Sequence, residues 1–339
     1  MATLFAILLR LHWRGVSHYM ELIRGLHNLG PSHRPCVATI GAFDGVHLGH
    51  QAVIRQLQDK AAEFALPSTV IVFEPLPREY LAPLDAPARI MSFREKFLAL
   101  EDLGVDRLLR IHFNEGLRST SAQAFLERIF VRGLGVRYIV LGDDFRFGND
   151  REGDINFIQQ QGLRYGYAAG STETFELEGE RVSSTRIRKA LAEGDFTLAE
   201  RLLSRPYRIS GKVVYGRQLG RELGFPTANM ELHRLRSPLS GVYAVTVSGA
   251  GLENAPAVAN VGTRPTVNDS IRANLEVHVL EGKPQLYGKH LQVTFLHKLR
   301  EEKKFDSVPE LQQQIARDVA DARSWLAAHG NGSGRVRAG

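Results

Sequence analysis

A chain of 339 residues, 43% of them hydrophobic, is long enough to bury two separate cores. Four of its six surplus positive charges, Arg10, Arg14, Arg335 and Arg337, lie in terminal stretches that hold no acid, so the charge does not call for a nucleic-acid-binding face. The single cysteine, Cys36, excludes an internal disulfide framework, fits a reducing compartment such as the cytoplasm, and reads most simply as a small buried apolar residue.

The opening run Leu4–Leu11 is apolar but interrupted by Arg10, and it falls far short of the about 20 residues that span a bilayer. No small-residue cleavage site follows it. Residues 1–19 are therefore expected to be an upstream extension, with the functional chain starting at Met20 and no membrane involved. From there to about Leu203 short apolar runs alternate with helical patterns. Strands are expected at Cys36–Ile40, Thr69–Phe73, Arg107–Ile111 and Arg137–Leu141, and helices at Gln51–Ala65, Phe93–Leu103 and Ala122–Arg132, which together predict a parallel α/β sheet. In such a sheet ligands bind beyond the carboxyl ends of the strands, where the loops Gly41–His50 and Gly142–Gly148 both fall.

The loop Gly-Ala-Phe-Asp-Gly-Val-His-Leu-Gly-His, residues 41 to 50, leads from a strand into a helix and places His47 and His50 near the helix start. Unpartnered N–H groups and the positive dipole end gather there, which suits a polyphosphate. Gly49 leaves room for a phosphate to approach the backbone, and Gly41 and Phe43 belong to the same loop. A capped helix with two surface histidines, or a zinc site, would use the same residues; no Cys or third His stands at ligand spacing. The run Gly142-Asp-Asp-Phe-Arg-Phe-Gly148 offers Asp144 to orient a polar group of a substrate and Phe147 to pack on a flat ring, unless the phenylalanines simply fill a core. A second anion-binding pattern, Val182–Arg188, puts Ser184 and Thr185 at the start of a helix expected over Thr185–Leu203, with Arg188 one turn in.

After Ser204-Arg-Pro206 the pattern alternates with period two at Tyr207–Tyr215, Gly241–Val247, Asn274–Leu280 and His290–Leu296, predicting an antiparallel barrel or sandwich. One helix, Val308–Ala328, closes it with Leu311, Ile315, Val319, Ala322 and Leu326 on one face. Between the first two strands, Gly211–Asn229 carries Lys212 and the glycines Gly216, Gly220 and Gly224 in a stretch suited to fold over nucleotide phosphates, although no Walker A pattern is present. Thr227 and Asn229 supply hard oxygen donors suited to the Mg²⁺ that accompanies ATP. Alternation in Asn274–Leu280 turns Leu275, Val277 and Val279 to the core and leaves Glu276 on the other face as a candidate base. The last stretch, from residue 329 to the end, is small and polar and is expected to be disordered.

Six motifs in order, at residues 41–50, 142–148, 183–188, 224–229, 262–266 and 275–278, resemble those of the bacterial bifunctional riboflavin kinase/FMN adenylyltransferases, or FAD synthetases. The resemblance runs from Met20 to about Ala328. It implies a Rossmann-like nucleotidyltransferase domain over 20–203, making FAD from FMN, and an antiparallel β-barrel kinase domain with a C-terminal helix over 204–328, making FMN from riboflavin. By motif position His47 and His50 would stabilise the ATP phosphates, with Ser184, Thr185 and Arg188 on the leaving pyrophosphate and Asp144 near the flavin or nucleotide. Thr227 and Asn229 would hold Mg-ATP, and Glu276 would activate the ribityl hydroxyl. Position and charge alone suggest Arg300 to Phe305 as a mobile lid, with Arg300 and Phe305 as candidate flavin contacts. The expected partners are riboflavin, FMN, FAD and ATP, with Mg²⁺ but no tightly bound prosthetic group, in a monomer or weak homo-oligomer. Three positions depart from the family pattern: Ala42, Leu76 and Ser204, the last standing where glycine is usual. A different nucleotidyltransferase joined to a non-catalytic flavin-binding barrel is the alternative.

Overall fold

The computed structural model describes residues 19–216, 223–232, 234, 236–265, 271–282 and 284–329, without the side chains of 263–265, 271 and 272. The expected extension up to residue 18, the tail from residue 330 and Gly220 lie outside the described residues. The chain forms two compact units that interleave along the sequence. Unit 1 holds the described residues up to Ala42 with Val53–Pro75 and Phe97–Thr172; unit 2 holds Phe43–Ala52, Leu76–Lys96 and the described residues from Glu173 onward.

Unit 1 is built on a six-stranded parallel sheet in the order β1-β4-β3-β2-β5-β6. Its strands are β1 (Glu21–Arg24), β2 (Val37–Ile40), β3 (Ser68–Glu74), β4 (Arg107–His112), β5 (Tyr138–Gly142) and β6 (Ala168–Thr172). The four inner strands are the four expected ones, because only strands covered on both faces read as continuous apolar runs; β3, for instance, is buried from Ser68 to Phe73. The edge strands were missed: β1 is four residues long and β6 reads Ala-Ala-Gly-Ser-Thr, with little β preference. Strand order turns outward in both directions from the adjacent pair β2 and β5, so Gly41 and Gly142 leave neighbouring carboxyl ends at a switch point of the sheet. Along the chain, helices α1 (Leu48–Phe64), α2 (Pro77–Leu81), α3 (Phe93–Asp102), α4 (Glu115–Arg118), α5 (Ala122–Phe125) and α6 (Ile155–Tyr165) separate the strands; α2 and the first turns of α1 and α3 belong to unit 2. The helix expected over 122–132 is α5 continued by a wider π-helical stretch to Leu134, ended by Gly135 in the left-handed region. Cys36 is fully buried in the unit 1 core, and burial pushes its thiol up to about 11, so it behaves as an inert apolar group.

Unit 2 contains a closed antiparallel barrel, β10-β13-β12-β11-β14-β9, which settles the choice between barrel and sandwich. The strands are β9 (Arg208–Val214), β10 (Ala228–Glu231), β11 (Gly241–Gly249), β12 (Leu252–Pro265), β13 (Ile271–Val279) and β14 (His290–Arg300), preceded by a short hairpin of β7 (Glu176–Leu177) and β8 (Glu180–Arg181). In β11, Tyr243, Val245 and Val247 fill the barrel while Val242 and Ala244 lie beneath the closing helix α9 (Val308–His329), packed with Ala322, Trp325 and Leu326. Leu275, Val277 and Val279 are buried and Glu276 and His278 are not, as the alternation requires. The helix expected over 185–203 is two helices, a correction with a local cause. Gly194, at φ 78°, ends α7 (Ser184–Glu193), and the Asp195 carboxylate accepts from Leu198 N at 2.8 Å to start α8 (Phe196–Leu203). Ser204 ends α8 at φ 59°, in the left-handed region that favours glycine. Among the described residues no helix is long and apolar enough to cross a membrane.

Candidate functional site

The first site lies in unit 2, where the loop Phe43–His47 enters α1. Phe43, Gly45 and Val46 all have positive φ, and Arg205 donates to the carbonyls of Gly45 and Val46, so the loop is wound tightly and held from outside. Its anchor is Asp44, 1% exposed. The Asp44 carboxylate accepts the backbone N–H groups of Ile90 and Met91, each at 3.1 Å, and pairs with Arg188 Nη2 at 2.7 Å. Ser184 Oγ donates to the Asp44 carbonyl at 2.8 Å, and the Ser183 hydroxyl caps α7 by accepting from Arg186 N. The first turns of α1 and α7 are thereby drawn together: a Cβ on Gly49 would stand 3.2 Å from the His47 ring and 3.4 Å from the Val182 carbonyl. Two helix N-termini facing one place are a stronger anion seat than either alone.

His47 and His50 stack there, ring centroids 3.7 Å apart and 17° from parallel, and His50 N donates to His47 Nδ1 at 3.3 Å. The helix begins three residues before the expected Gln51, so His50 lies within its first turn. Burial lowers the His47 pKa to about 4, against the pull of Asp44, and the positive charges of Arg181, Arg205 and Arg188 lower it further. His50 is pushed well below its ordinary value by burial, then by His47, Lys96 and Arg205. Both rings are neutral near pH 7, in a field made positive by the surrounding arginines. His50 Nδ1 is buried without a hydrogen-bond partner.

The other residues expected at this site are placed differently. Gly41 N donates to Ile71 O within the sheet of unit 1, so its N–H is engaged. Phe43 is buried with its ring 5.0 Å from His50, a support for the imidazole. Thr185 is exposed in the first turn of α7. Asp144 is exposed in the turn after β5 of unit 1. Phe147 is buried in the unit 1 core against Phe125, Phe145 and Phe157, the core role that its sequence left open. Sequence reasoning missed Asp44, although a carboxylate between two apolar residues and a glycine was a visible signal.

The second site lies on the barrel. Glu276 on β13 pairs in register with Asn229 of β10 on one side and Asn260 of β12 on the other, and Asn274 Nδ2 donates to Glu276 Oε1 at 3.1 Å. Asn229 is 5% exposed, and its Oδ1 is buried without a partner. The backbone of Gly216 lies so close to it that a Cβ there would collide with the amide. Thr227 is half-buried just before β10, Gly224 takes φ 88° in the preceding turn, and Lys212 is exposed on β9. Phe225 meets His278 edge-on at 5.7 Å, beside a cleft of about 650 Å³ lined by Leu223, Phe225, Pro309, Gln313 and Ala316. Arg300 forms a bidentate pair with Asp318 of α9, at 2.8 and 2.7 Å, and its guanidinium lies 5.8 Å from the Phe305 ring. Among the described residues no three His, Cys, Asp or Glu group as metal ligands.

A parallel sheet with a histidine-bearing loop between two helix N-termini, followed by a closed barrel carrying a carboxylate beside a buried asparagine, defines a nucleotidyltransferase joined to a small-molecule kinase. Residues 30–186 match the FAD synthetase family and residues 203–326 the riboflavin kinase family. The bifunctional riboflavin kinase/FMN adenylyltransferase of Pseudomonas fluorescens is 52% identical over 91% of this chain and 98% of its own, and that of Escherichia coli K12 is 48% identical over the same shares. The crystal structure of a macrolide-efflux protein from Streptococcus pneumoniae superposes with a TM-score of 0.73 at 31% identity, covering 90% of this chain and all of that one. The chain belongs to the bifunctional riboflavin kinase/FMN adenylyltransferase family, with the adenylyltransferase in its N-terminal part and the kinase in its C-terminal part.

Proposed function

We propose that the His47 loop performs adenylyl transfer and the Glu276 face of the barrel performs phosphoryl transfer, so that riboflavin becomes FMN at one and FMN becomes FAD at the other. The observation that carries the first assignment is the meeting of the α1 and α7 N-termini at a stacked, neutral histidine pair. The FMN phosphate attacks the α-phosphorus of ATP directly and pyrophosphate leaves, so positioning and charge stabilisation do the catalysis. Neutral imidazoles offer N–H donors to the phosphate oxygens without repelling each other, and they gain proton affinity as negative charge builds on the leaving group. Two of the Arg188 donors are engaged, Nη2 with Asp44 and Nε with the Ala88 carbonyl, which fixes the guanidinium plane and leaves Nη1 for the pyrophosphate. Thr185 and Ser184 supply first-turn N–H groups, and Asp144 is assigned to orient FMN or the nucleotide.

In the kinase half, Glu276 takes the proton of the ribityl 5′-hydroxyl as it attacks the γ-phosphorus. The buried, unpartnered Asn229 Oδ1 and the Thr227 hydroxyl fit a Mg²⁺ that arrives with ATP; the ion would neutralise charge on the transferred phosphoryl group. Gly216, Gly224 and Lys212 bound the phosphate path, and the glycine keeps the backbone against Asn229. The cleft beside Phe225 suits the flavin ring, with Phe305 assigned to the same ligand; Arg300 acts chiefly through Asp318. We assign the reactions to the cytoplasm, where the lone buried thiol stays reduced.

The test is a product analysis. Purified full-length chain with riboflavin, ATP and Mg²⁺ yields FMN and then FAD. His47→Ala stops the sequence at FMN, and Glu276→Ala blocks FMN formation while leaving FAD formation from added FMN. If both substitutions impair the same single step, the two-site assignment is wrong.

A further inference from the structure

The mechanism above leaves unexplained a buried ion pair in unit 2, far along the chain from the histidine motif. Arg234, 4% exposed, follows β10 of the barrel and pairs with Glu95 through Nη2 at 2.5 Å. Glu95 also accepts from Ser210 N on β9 at 2.6 Å and from Ser92 N at 2.6 Å. The other terminal nitrogen, Arg234 Nη1, donates to the carbonyls of Arg89 and Ile90, at 3.3 and 3.1 Å, and the Tyr207 hydroxyl donates to the Ile90 carbonyl at 3.2 Å. Those two carbonyls belong to the same peptide groups whose N–H ends, on Ile90 and Met91, donate to Asp44.

Two consecutive peptides are therefore held between a guanidinium at their oxygen ends and a carboxylate at their nitrogen ends. The charges alternate along one chain of contacts: Arg188, Asp44, the peptides 89–91, Arg234, Glu95. Each charge polarises the peptide dipoles in the sense that strengthens the bond at the far end. A buried ion pair does not by itself favour folding over an apolar replacement; what this one does is hold the groups it touches in one arrangement.

We propose that Arg234 and Glu95 are positioning residues for adenylyl transfer, supplied in part by the barrel segment that matches the kinase family. They fix the peptides that fix Asp44, and through it the plane of Arg188 and the winding of the His47 loop. This rests on the reading of that loop as the adenylyl-transfer site. The consequence is that the FAD-forming centre is completed by residues on the kinase side of residue 203, and that a change there, outside both sets of substrate-contacting residues, alters the second reaction selectively.

The experiment uses the full-length chain. Arg234→Lys keeps a positive charge but has a single terminal nitrogen, so it cannot hold Glu95 and the two carbonyls at once as Nη2 and Nη1 do. It is expected to lower kcat for FAD formation from FMN by about tenfold while riboflavin phosphorylation stays within about twofold. Coupled to Asp44→Asn in a double-mutant cycle, it is expected to add less than about twofold to the loss from Asp44→Asn alone, because both act on the same peptides. Unchanged kcat and KM for FAD formation, a parallel loss of both activities with the melting temperature, or a double variant whose loss equals the product of the single losses would each overturn the proposal. Tyr207→Phe removes one donor from the same Ile90 carbonyl and one acceptor of Arg234 Nη1 while leaving both ion pairs, and it carries the same cycle should Arg234→Lys not fold. His47→Ala measured alongside keeps the two readings apart: if it leaves FAD formation intact, the site assignment fails, whatever Arg234 does.

Discussion

Asp44→Asn should be the most damaging isosteric change in the His47 loop. The carboxylate is 2% exposed at its side chain and Arg188 22%, and they meet at 2.7 Å while two backbone N–H groups fill the remaining acceptor sites. An asparagine carbonyl oxygen can keep a backbone donor, but the amide nitrogen then faces the guanidinium, donor against donor. Breaking a buried pair from one side costs about 3 to 5 kcal/mol; with part of Arg188 in solvent the low end, about 3 kcal/mol, is expected. For a unit of this size that is a fall of roughly 6–12 °C in melting temperature. Trp325 stacks on His297 in unit 2 with centroids 5.0 Å apart, so its fluorescence reports that unit in urea or thermal unfolding. FAD formation should fall by about tenfold or more as the Arg188 plane is released, while riboflavin phosphorylation in the surviving folded fraction holds. A loss of stability under about 1 kcal/mol, the scale of a surface pair, would show that Asp44 is not the anchor the geometry makes it.

Three further outcomes can be measured. His47, moved from 6.5 to about 4 by burial, contributes stability that is intact above pH 6.5 and lost as pH falls towards 4; unfolding free energies from urea titrations at stepped pH should decline in that window by up to about 3 kcal/mol more in the native sequence than in His47→Gln. Equal slopes would place the imidazole in solvent. Gly49→Ala, whose Cβ would press on the His47 ring at 3.2 Å within a helix that otherwise favours alanine, should leave the melting temperature within a few degrees and reduce FAD formation by about tenfold. Gly216→Ala should reduce riboflavin phosphorylation by a similar factor, about tenfold, by displacing Asn229, with FAD formation from FMN unaffected; nucleotide titrations of each activity separate the two.

What the sequence disclosed follows from where the physical signal lies. Alternation in β13 located the Glu276 face because one side of that strand is packed and the other is not, and the closing helix showed its apolar stripe for the same reason. Strand β12 is not among the expected strands: two of its inward residues are Ala257 and Ala259, and Asn254, Pro256, Asn260 and Gly262 dilute the β preference that Val258 and Val261 supply. The break between α7 and α8 was written as Gly194-Asp195, a stop followed by a cap, yet Phe196, Ala199 and Leu203 continue an apolar pattern that hides it.

The site divides in the same way. His47, Gly49 and His50 are close in sequence and readable as a motif. The residues that hold them are not: Asp44 finds its partners 46 and 144 positions away, and Arg234 reaches Ile90 across 144. A motif records which atoms touch the substrate, because those must sit at fixed spacing on one turn. The groups that keep the motif rigid need only arrive in space, from any strand the fold brings near, and their spacing in the chain carries no pattern. Arg300 and Phe147 follow the same rule. Arg300 pairs with a buried carboxylate on α9 and Phe147 packs on three aromatic neighbours in unit 1, contacts that exist only once the chain has folded.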